Sequence, residues 1–229
     1  MTVLGIETAT TVCAAAVVSG GKIVAEESLE QRNVHAEKLL SLVDAALHGA
    51  GCALDDVGGI AVSIGPGSFT GLRIGLSVAK GLAYATGKPL VAVPTLLALA
   101  HRAAGEAAAR RARFILAVLD ARRDEVYYQL FRVEEGSVLA EAEPRDATLA
   151  AVLQVLATPG VMVTGEGRTK VLEGMTPNGH VLVAADAYAR CGAGAVACIG
   201  EVRLLQGEAH YPIALEPRYI KDFFLTSPH

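Results

Sequence analysis

Short apolar runs separated by turns dominate the first part of the chain. Residues 3–9 and 12–18 are mostly apolar, which is the pattern of strands buried on both faces. A Ser-Gly-Gly-Lys turn then returns the chain into a third strand over residues 23–28. The next predicted elements are a helix over residues 36–49, a strand over 60–64, a helix over 68–86, a strand over 90–93 and a helix from residue 95. The first half therefore predicts the order β-β-β-α-β-α-β.

The second half repeats this order. Its predicted elements are strands over residues 114–120, 125–133, 137–142 and 161–164 and a helix over 148–156. Matching elements lie about 100 to 115 residues apart, a spacing that indicates a duplicated domain rather than a solenoid. In each half the first strand ends in an acid, Glu7 or Asp120. A Gly-Pro-Gly turn at residues 65–67 is matched by a Gly-Glu-Gly turn at 165–167.

This duplicated plan predicts an α/β fold of two lobes, each with a mixed sheet flanked by helices. It is similar to the actin-like ATPase (sugar kinase/Hsp70, ASKHA) fold, in which the turns near Glu7 and Asp120 would face a cleft that holds nucleotide phosphates and Mg²⁺. The alternative is that these acids are polar residues that end strands. The predicted boundaries are residues 1–102 for the first lobe, 103–214 for the second lobe and 215–229 for an irregular C-terminal tail.

The composition excludes several classes of protein. With 52% hydrophobic and 19% charged residues, the chain is predicted to be compact and ordered. A net charge of −4 with scattered Lys and Arg does not predict a nucleic-acid surface, so RNA would be held through a partner. The apolar runs are too short to cross a bilayer and no export signal is visible, so we predict a cytoplasmic protein without membrane contact.

The sequence gives little support for a metal site or for a catalytic nucleophile. The 4 cysteines form no CxxC pair, and the 6 histidines form no HxxxH or HExxH spacing, so no metal site is predicted. Ser68 and Ser77 have no local His/Asp arrangement that would activate a nucleophile, so no catalytic residue is predicted.

The glycine-rich stretch over residues 65–87 begins like a phosphate-binding loop. A P-loop requires Lys after its last glycine, but Leu72 follows Gly71 here. A dinucleotide fingerprint requires glycine at its sixth position, which here is Thr70. Both nucleotide motifs are therefore excluded, and a tight turn followed by a helix remains.

The helix over residues 68–86 has too little polar surface for an ordinary surface helix. Its polar positions form one narrow stripe of Arg73, Ser77, Lys80 and Tyr84. Small residues recur at every fourth position on the other side, at Gly71, Gly75, Ala79 and Ala83. The helix is buried either between the protein's own layers or against a partner; we favour a partner, with the small residues forming a groove that admits a second helix.

Several motifs resemble, in order along the chain, those of the TsaB (YeaZ) family. They are Gly5-Ile6-Glu7-Thr8-Ala9-Thr10, His35-Ala36-Glu37-Lys38-Leu39-Leu40, Gly65-Pro66-Gly67-Ser68-Phe69-Thr70-Gly71-Leu72-Arg73-Ile74-Gly75, Asp120-Ala121-Arg122 with Glu125-Val126-Tyr127, and Pro217-Arg218-Tyr219. The glycine-rich motif is the most specific of them. One departure is Glu7-Thr8-Ala9, where the family usually has Asp-Thr-Ser, which weakens a nucleotide or Mg²⁺ role for this turn.

The resemblance implies a non-catalytic scaffold or activating subunit for the transferase TsaD. The modification would be N6-threonylcarbamoyladenosine next to the anticodon of ANN-decoding tRNAs. TsaB pairs with TsaD through its first lobe, the ATPase TsaE joins the full complex, and TsaB alone forms a homodimer. The HxxxH of TsaD would fall near residues 97–105, where this chain lacks it. No cofactor is required by the chain itself, although weak binding of ATP or ADP with Mg²⁺ in the complex is allowed.

Two sets of site residues follow. The partner-binding set is Phe69, Gly71, Leu72, Gly75, Leu76, Ala79, Leu82 and Ala83. The vestigial nucleotide cleft would contain Glu7, Thr8, Thr10, Asp120, Gly165 and Gly167. The alternative functions are an ATP-binding or ATP-hydrolysing enzyme of the actin-like fold and, with less support, a zinc glycopeptidase.

Overall fold

The computed structural model describes residues 1–31, 33–121, 123–175 and 181–220, and each of its two sheets forms the centre of one half of the molecule. Arg122, which belongs to one of the quoted motifs, and residues 221–229 of the predicted tail lie outside the described residues. The duplicated α/β plan predicted from the sequence is confirmed in the described residues.

The first sheet is mixed and has five strands. They are β1 (Thr2–Glu7), β2 (Val12–Ser19), β3 (Lys22–Glu30), β4 (Gly59–Ser63) and β5 (Leu90–Val93). The spatial order is β3-β2-β1-β4-β5, with an antiparallel meander of β1 to β3 and with β4 and β5 parallel to β1. Because β1 and β4 are parallel, their carboxyl ends meet at one edge, which brings Glu7 close to the glycine-rich turn.

The second sheet repeats the pairing of the central strands of the first sheet. Its strands are β6 (Phe114–Asp120), β7 (Glu125–Glu134), β8 (Ser137–Ala140), β9 (Arg145–Thr148), β10 (Val161–Thr164) and β11 (Leu182–Val183). β6 pairs antiparallel with β7 and parallel with β10, as β1 does with β2 and β4. The predicted strand over 137–142 ends at Ala140, and β9 starts after Pro144, a residue without the N–H group that a strand ladder needs.

In the described residues, six α-helices cover the two sheets. They are α1 (His35–Gly49), α2 (Phe69–Thr86), α3 (Thr95–Ala109), α4 (Leu149–Val155), α5 (Arg168–Glu173) and α6 (Ala193–Leu205). α1 and α2 cover one face of the first sheet and α6 covers the other. α3 packs on the second sheet and also contacts α6. The lobes over 1–102 and 103–214 and the tail over 215–229 remain predictions: α3 spans residue 102, and α6 packs on the first sheet.

Both ends of α2 follow from local sequence signals. Ser68 caps the amino end, where its Oγ accepts a hydrogen bond from the Gly71 N–H at 3.2 Å. Gly87 ends the helix at φ 67°, a left-handed conformation that glycine adopts without steric cost. The predicted helix over 68–86 is therefore confirmed to within one residue.

Candidate functional site

The Gly-Pro-Gly turn is closed against the chain's own first hairpin. The Ser68 N–H donates to the Ala9 carbonyl oxygen at 2.6 Å, and a Cβ placed on Gly67 would lie 2.2 Å from that oxygen. The Gly71 and Leu72 N–H groups donate to the Ser68 side chain and carbonyl, respectively. These donors are therefore satisfied internally and are not available to a phosphate.

The small-residue side of α2 also faces the protein's own core. A Cβ on Gly71 would lie 2.1 Å from the Thr8 carbonyl oxygen, and Gly75 is equally close to the Thr8 hydroxyl oxygen. Ala79 and Ala83 are buried in the core beneath the first sheet. The sequence predicts an open groove along these residues. That prediction is wrong, because Thr8 and the core of the same chain fill the space.

A different side of α2 is open. A groove of about 490 Å³ runs between α1 and α2, and we call it the α1–α2 groove; its lining consists of Ala36, Phe69, Thr70, Arg73, Ile74, Ser77 and Val78. Leu40 lies one helical turn beyond Ala36 and is 54% exposed, and Tyr84 at the far end of α2 is 88% exposed. The predicted polar stripe therefore lies on the open side of α2. Together with the apolar residues beside it, the stripe forms an exposed surface of the kind found at interaction sites.

The C-terminal segment closes one end of the α1–α2 groove. The Arg73 guanidinium lies 3.7 Å above the Phe69 ring, and its Nε donates to the Tyr219 hydroxyl oxygen at 3.0 Å. The Phe69 and Tyr219 rings are 5.1 Å apart, and the Arg218 N–H donates to the Ile64 carbonyl at 2.7 Å. These contacts hold Arg73 in place at the groove mouth.

The predicted partner-binding residues fall into two groups, one accessible to solvent and one buried. Phe69 and Leu82 are half-buried and accessible, whereas the other members are buried: Gly71, Leu72, Gly75, Leu76, Ala79 and Ala83. Sequence reasoning missed Ala36, Ile74 and Val78 as surface residues. Helical spacing groups Ile74 and Val78 beside the polar stripe, which was the available signal, but only the packing of α1 shows that a groove results.

At the tip of β1, Glu7 is fully buried. Its Oε1 accepts a hydrogen bond from the Ala9 N–H at 2.5 Å, and its Oε2 has no partner among the described residues. Burial is the main cause that raises the pKa of Glu7 from 4.5 to about 7, with a smaller contribution from the charge of Glu166. Glu7 therefore carries a proton over much of the range in which an ordinary carboxyl group is ionised.

Asp120, the corresponding acid of the second half, has a different environment. Its side chain is 64% exposed, and its Oδ1 pairs with the Lys170 ammonium at 3.0 Å. A divalent cation held by both acids would need two ionised carboxylates at one place. A protonated Glu7 and an exposed, paired Asp120 do not favour such a site. The described residues contain no group of three or more His, Cys, Asp or Glu side chains that could hold a metal ion.

The other predicted cleft residues flank these acids. Gly165 has φ 108°, and a Cβ there would lie 2.0 Å from the Val118 carbonyl oxygen, which also accepts the Gly167 N–H at 3.1 Å. The turn after β10 is thus packed onto β6 in the way the Gly-Pro-Gly turn is packed onto the first hairpin. Thr10 forms a side-chain hydrogen bond with Glu166. Glu166 is not among the site residues that the sequence predicts.

Glu7→Gln is expected to change the pH dependence of stability. The unfolded carboxyl titrates near 4.5, so protonated Glu7 contributes stability that is complete below pH 4.5 and is lost as the pH rises through about 7. At about pH 8.5 the variant should be more stable than the parent by up to about 3 kcal/mol, since one pH unit corresponds to about 1.4 kcal/mol. Urea unfolding at about pH 5 and about pH 8.5 measures this difference; an equal difference at both pH values would contradict it.

In the part of the chain that the structure describes, no helix has the length and apolar character required to cross a membrane.

Comparisons with known proteins agree on one family. The family model "TsaD: tRNA N6-adenosine threonylcarbamoyltransferase" matches residues 22–171. The tRNA threonylcarbamoyladenosine biosynthesis protein TsaB of Escherichia coli is 37% identical over 138 residues, which cover 60% of this chain and 58% of that protein. The match thus spans only a little over half the length of such curated relatives.

Solved structures support the same family over nearly the full chain. YeaZ from Pseudomonas aeruginosa has a TM-score of 0.81 at 29% identity and covers 95% of this chain and 99% of its own. The activator of the 2-hydroxyisocaproyl-CoA dehydratase from Clostridium difficile, solved with bound ADPNP, has a TM-score of 0.50 at 10% identity over 92% of this chain and shows the shared fold alone. The predicted actin-like fold is confirmed, and the chain belongs to the TsaB (YeaZ) family.

Proposed function

We propose that this chain is a non-catalytic subunit that binds and activates TsaD in the formation of N6-threonylcarbamoyladenosine next to the anticodon of ANN-decoding tRNAs. The observation that carries the proposal is the α1–α2 groove, an open and mainly apolar surface beside the positioned Arg73. The curated relatives named for threonylcarbamoyladenosine biosynthesis supply the reaction.

The groove has the character of a protein interface rather than of a small-molecule site. It is shallow and open along two helices, its floor contains Ile74 and Val78, and one rim carries a fixed arginine that is stacked on an aromatic ring. Arginine and aromatic residues contribute strongly to interfaces, and a helix of the partner fits a groove of this kind. TsaD occupies the groove in the complex, and a second copy of this chain occupies it when TsaD is absent.

Other partners join through that complex. TsaE binds to the assembled pair, and tRNA contacts this chain only within the complex, since a net charge of −4 with scattered Lys and Arg residues does not favour direct binding of nucleic acid. The chain acts in the cytoplasm, where tRNA is modified, and it makes no membrane contact.

Calorimetry with Mg-ATP tests the non-catalytic part of the proposal. The isolated chain is expected to show neither micromolar affinity nor turnover, while its addition to TsaD and TsaE should raise the yield of modified tRNA. Micromolar binding and turnover that disappear in Asp120→Ala would instead establish an ATP-dependent enzyme. Asp120 is suited to this test because it is exposed, so its replacement leaves the core intact.

A further inference from the structure

The charge of the α1–α2 groove is concentrated in one side chain. Of the described residues that line the groove, Arg73 is the one that carries a charge at neutral pH, and the others are apolar or bear a hydroxyl group. Arg73 is exposed, and none of the described Asp and Glu side chains forms an ion pair with it. The groove therefore presents a cation without a counter-charge from the described part of its own chain.

Two aromatic side chains fix the orientation of this cation. The guanidinium of Arg73 lies 3.7 Å from the centroid of the Phe69 ring, and its Nε donates to the Tyr219 hydroxyl oxygen at 3.0 Å. No described residue accepts a hydrogen bond from Nη1 or Nη2 of Arg73. A guanidinium with both terminal nitrogens available binds a carboxylate through two parallel hydrogen bonds. A side chain held in one orientation also loses less conformational entropy when a partner binds.

Tyr219 is itself anchored on the turn that precedes α2. The N–H of the preceding residue, Arg218, donates to the Ile64 carbonyl oxygen at 2.7 Å. The Arg218 carbonyl oxygen packs against Gly65, where an added Cβ would lie 2.6 Å from it. The C-terminal segment is therefore packed tightly enough to hold the Tyr219 hydroxyl at Arg73.

The groove lining of a second copy of this chain is a poor complement to Arg73. It would bring another Arg73 and no carboxylate from the described lining residues. Glu37 of α1, the acid next to the lining residue Ala36, pairs with Lys38 at 3.2 Å. Covering a charged group without a partner is unfavourable, whereas a carboxylate placed at the guanidinium compensates its charge. A different chain that carries an acid at this position is the better complement.

We propose that Arg73 selects the partner of the α1–α2 groove by binding an Asp or Glu carboxylate on the TsaD helix that enters it. This inference rests on the proposed function and names the chemistry by which the groove prefers TsaD to a second copy of this chain. Tyr219 is a positioning residue that acts through Arg73. Charge complementarity of this kind contributes to the choice of partner and to the rate of association.

Arg73→Gln tests the proposal because it removes the charge from an exposed side chain. Calorimetric titration with TsaD is performed at about 50 mM and about 300 mM NaCl, since salt screens ion pairs. The Kd of the parent is expected to increase at least about threefold between these conditions. The variant should bind about 10- to 100-fold more weakly at low salt, with a Kd that changes less than about twofold with salt. Its self-association, measured by sedimentation, should be unchanged or stronger.

Two further variants separate the charge of Arg73 from its surroundings. Tyr219→Phe keeps the ring beside Phe69 and removes the hydroxyl group, so it should weaken TsaD binding about threefold and retain the salt dependence of the parent. Arg132→Gln makes the same chemical change at an exposed site on β7 and should stay within about twofold of the parent affinity. Thermal unfolding of each variant verifies that the fold is preserved.

The possible results distinguish this inference from the proposed function. Parent-like affinity of Arg73→Gln for TsaD, or a parent Kd that does not respond to salt, would overturn the role of Arg73 and leave the proposed function intact. Equal weakening of TsaD binding and of self-association would also overturn it, because Arg73 would then support the groove without selecting its occupant. A parent chain that binds no TsaD in either salt condition would overturn both.

Discussion

Gly71→Ala is expected to destabilise the fold by about 2 to 4 kcal/mol, because its new methyl group has no space. The added Cβ would lie 2.1 Å from the Thr8 carbonyl oxygen, a main-chain atom that cannot rotate away. Relief requires α2 to move off the first hairpin, and α2 also packs on β4 and α1. Urea unfolding of the variant and the parent gives the difference in free energy of unfolding.

Gly81→Ala is the matched control on the same helix. Nothing lies within 4 Å of a Cβ at Gly81, which is exposed, so this substitution should stabilise the protein by about 0.5 to 1 kcal/mol through helix propensity. Equal effects of the two substitutions would show that Thr8 does not press against α2, and the small-residue side would again be available to a partner.

Ser77→Arg is expected to weaken binding to TsaD at least about 100-fold. Ser77 is an exposed residue in the middle of the α1–α2 groove, so a long charged side chain there occupies the volume that a partner helix needs. Charged replacements at Gly75 or Ala79 would not serve, because both are buried and their variants would unfold. Calorimetric titration of TsaD with the variant and the parent measures the loss.

Ser137→Arg provides the same chemical change at a site outside the groove. Ser137 is exposed on β8 of the second sheet, and its replacement should leave the affinity for TsaD within about twofold of the parent. Matching thermal unfolding curves for both arginine variants would show that lost binding does not reflect lost folding. Full affinity in Ser77→Arg would exclude the α1–α2 groove as the interface.

The elements that sequence predicts best are those whose environment is uniform. β1 and β2 are buried on both faces, and the continuous apolar runs indicate this directly. α6 was missed for a related reason: it packs against β1, β2 and β4 on one side and α3 on the other. Most residues of α6 are apolar whichever side of the helix they lie on, so its sequence lacks the strong period that identifies amphipathic helices.

At the candidate site, the residue pattern of the sequence does not predict which atoms come into contact. The small residues of α2 predicted the approach of a partner helix, but Gly71 and Gly75 lie against Thr8 of the same chain, and helical spacing does not identify the atoms that approach. Glu7 and Asp120 share a position in the duplicated halves, yet burial and Lys170 give them opposite environments. Thr10 of the first half hydrogen-bonds Glu166 of the second half, a contact between distant parts of the sequence that a local motif does not encode.

Light scattering of the chain mixed with the TsaD of its own cell tests the central claim most directly, because it reports the mass of the complex itself. The account predicts a species that contains both chains and is heavier than either protein alone, formed without ATP and lost with Ser77→Arg. If both proteins keep their separate masses at concentrations well above micromolar, with and without ATP, this chain is not a TsaD-binding subunit.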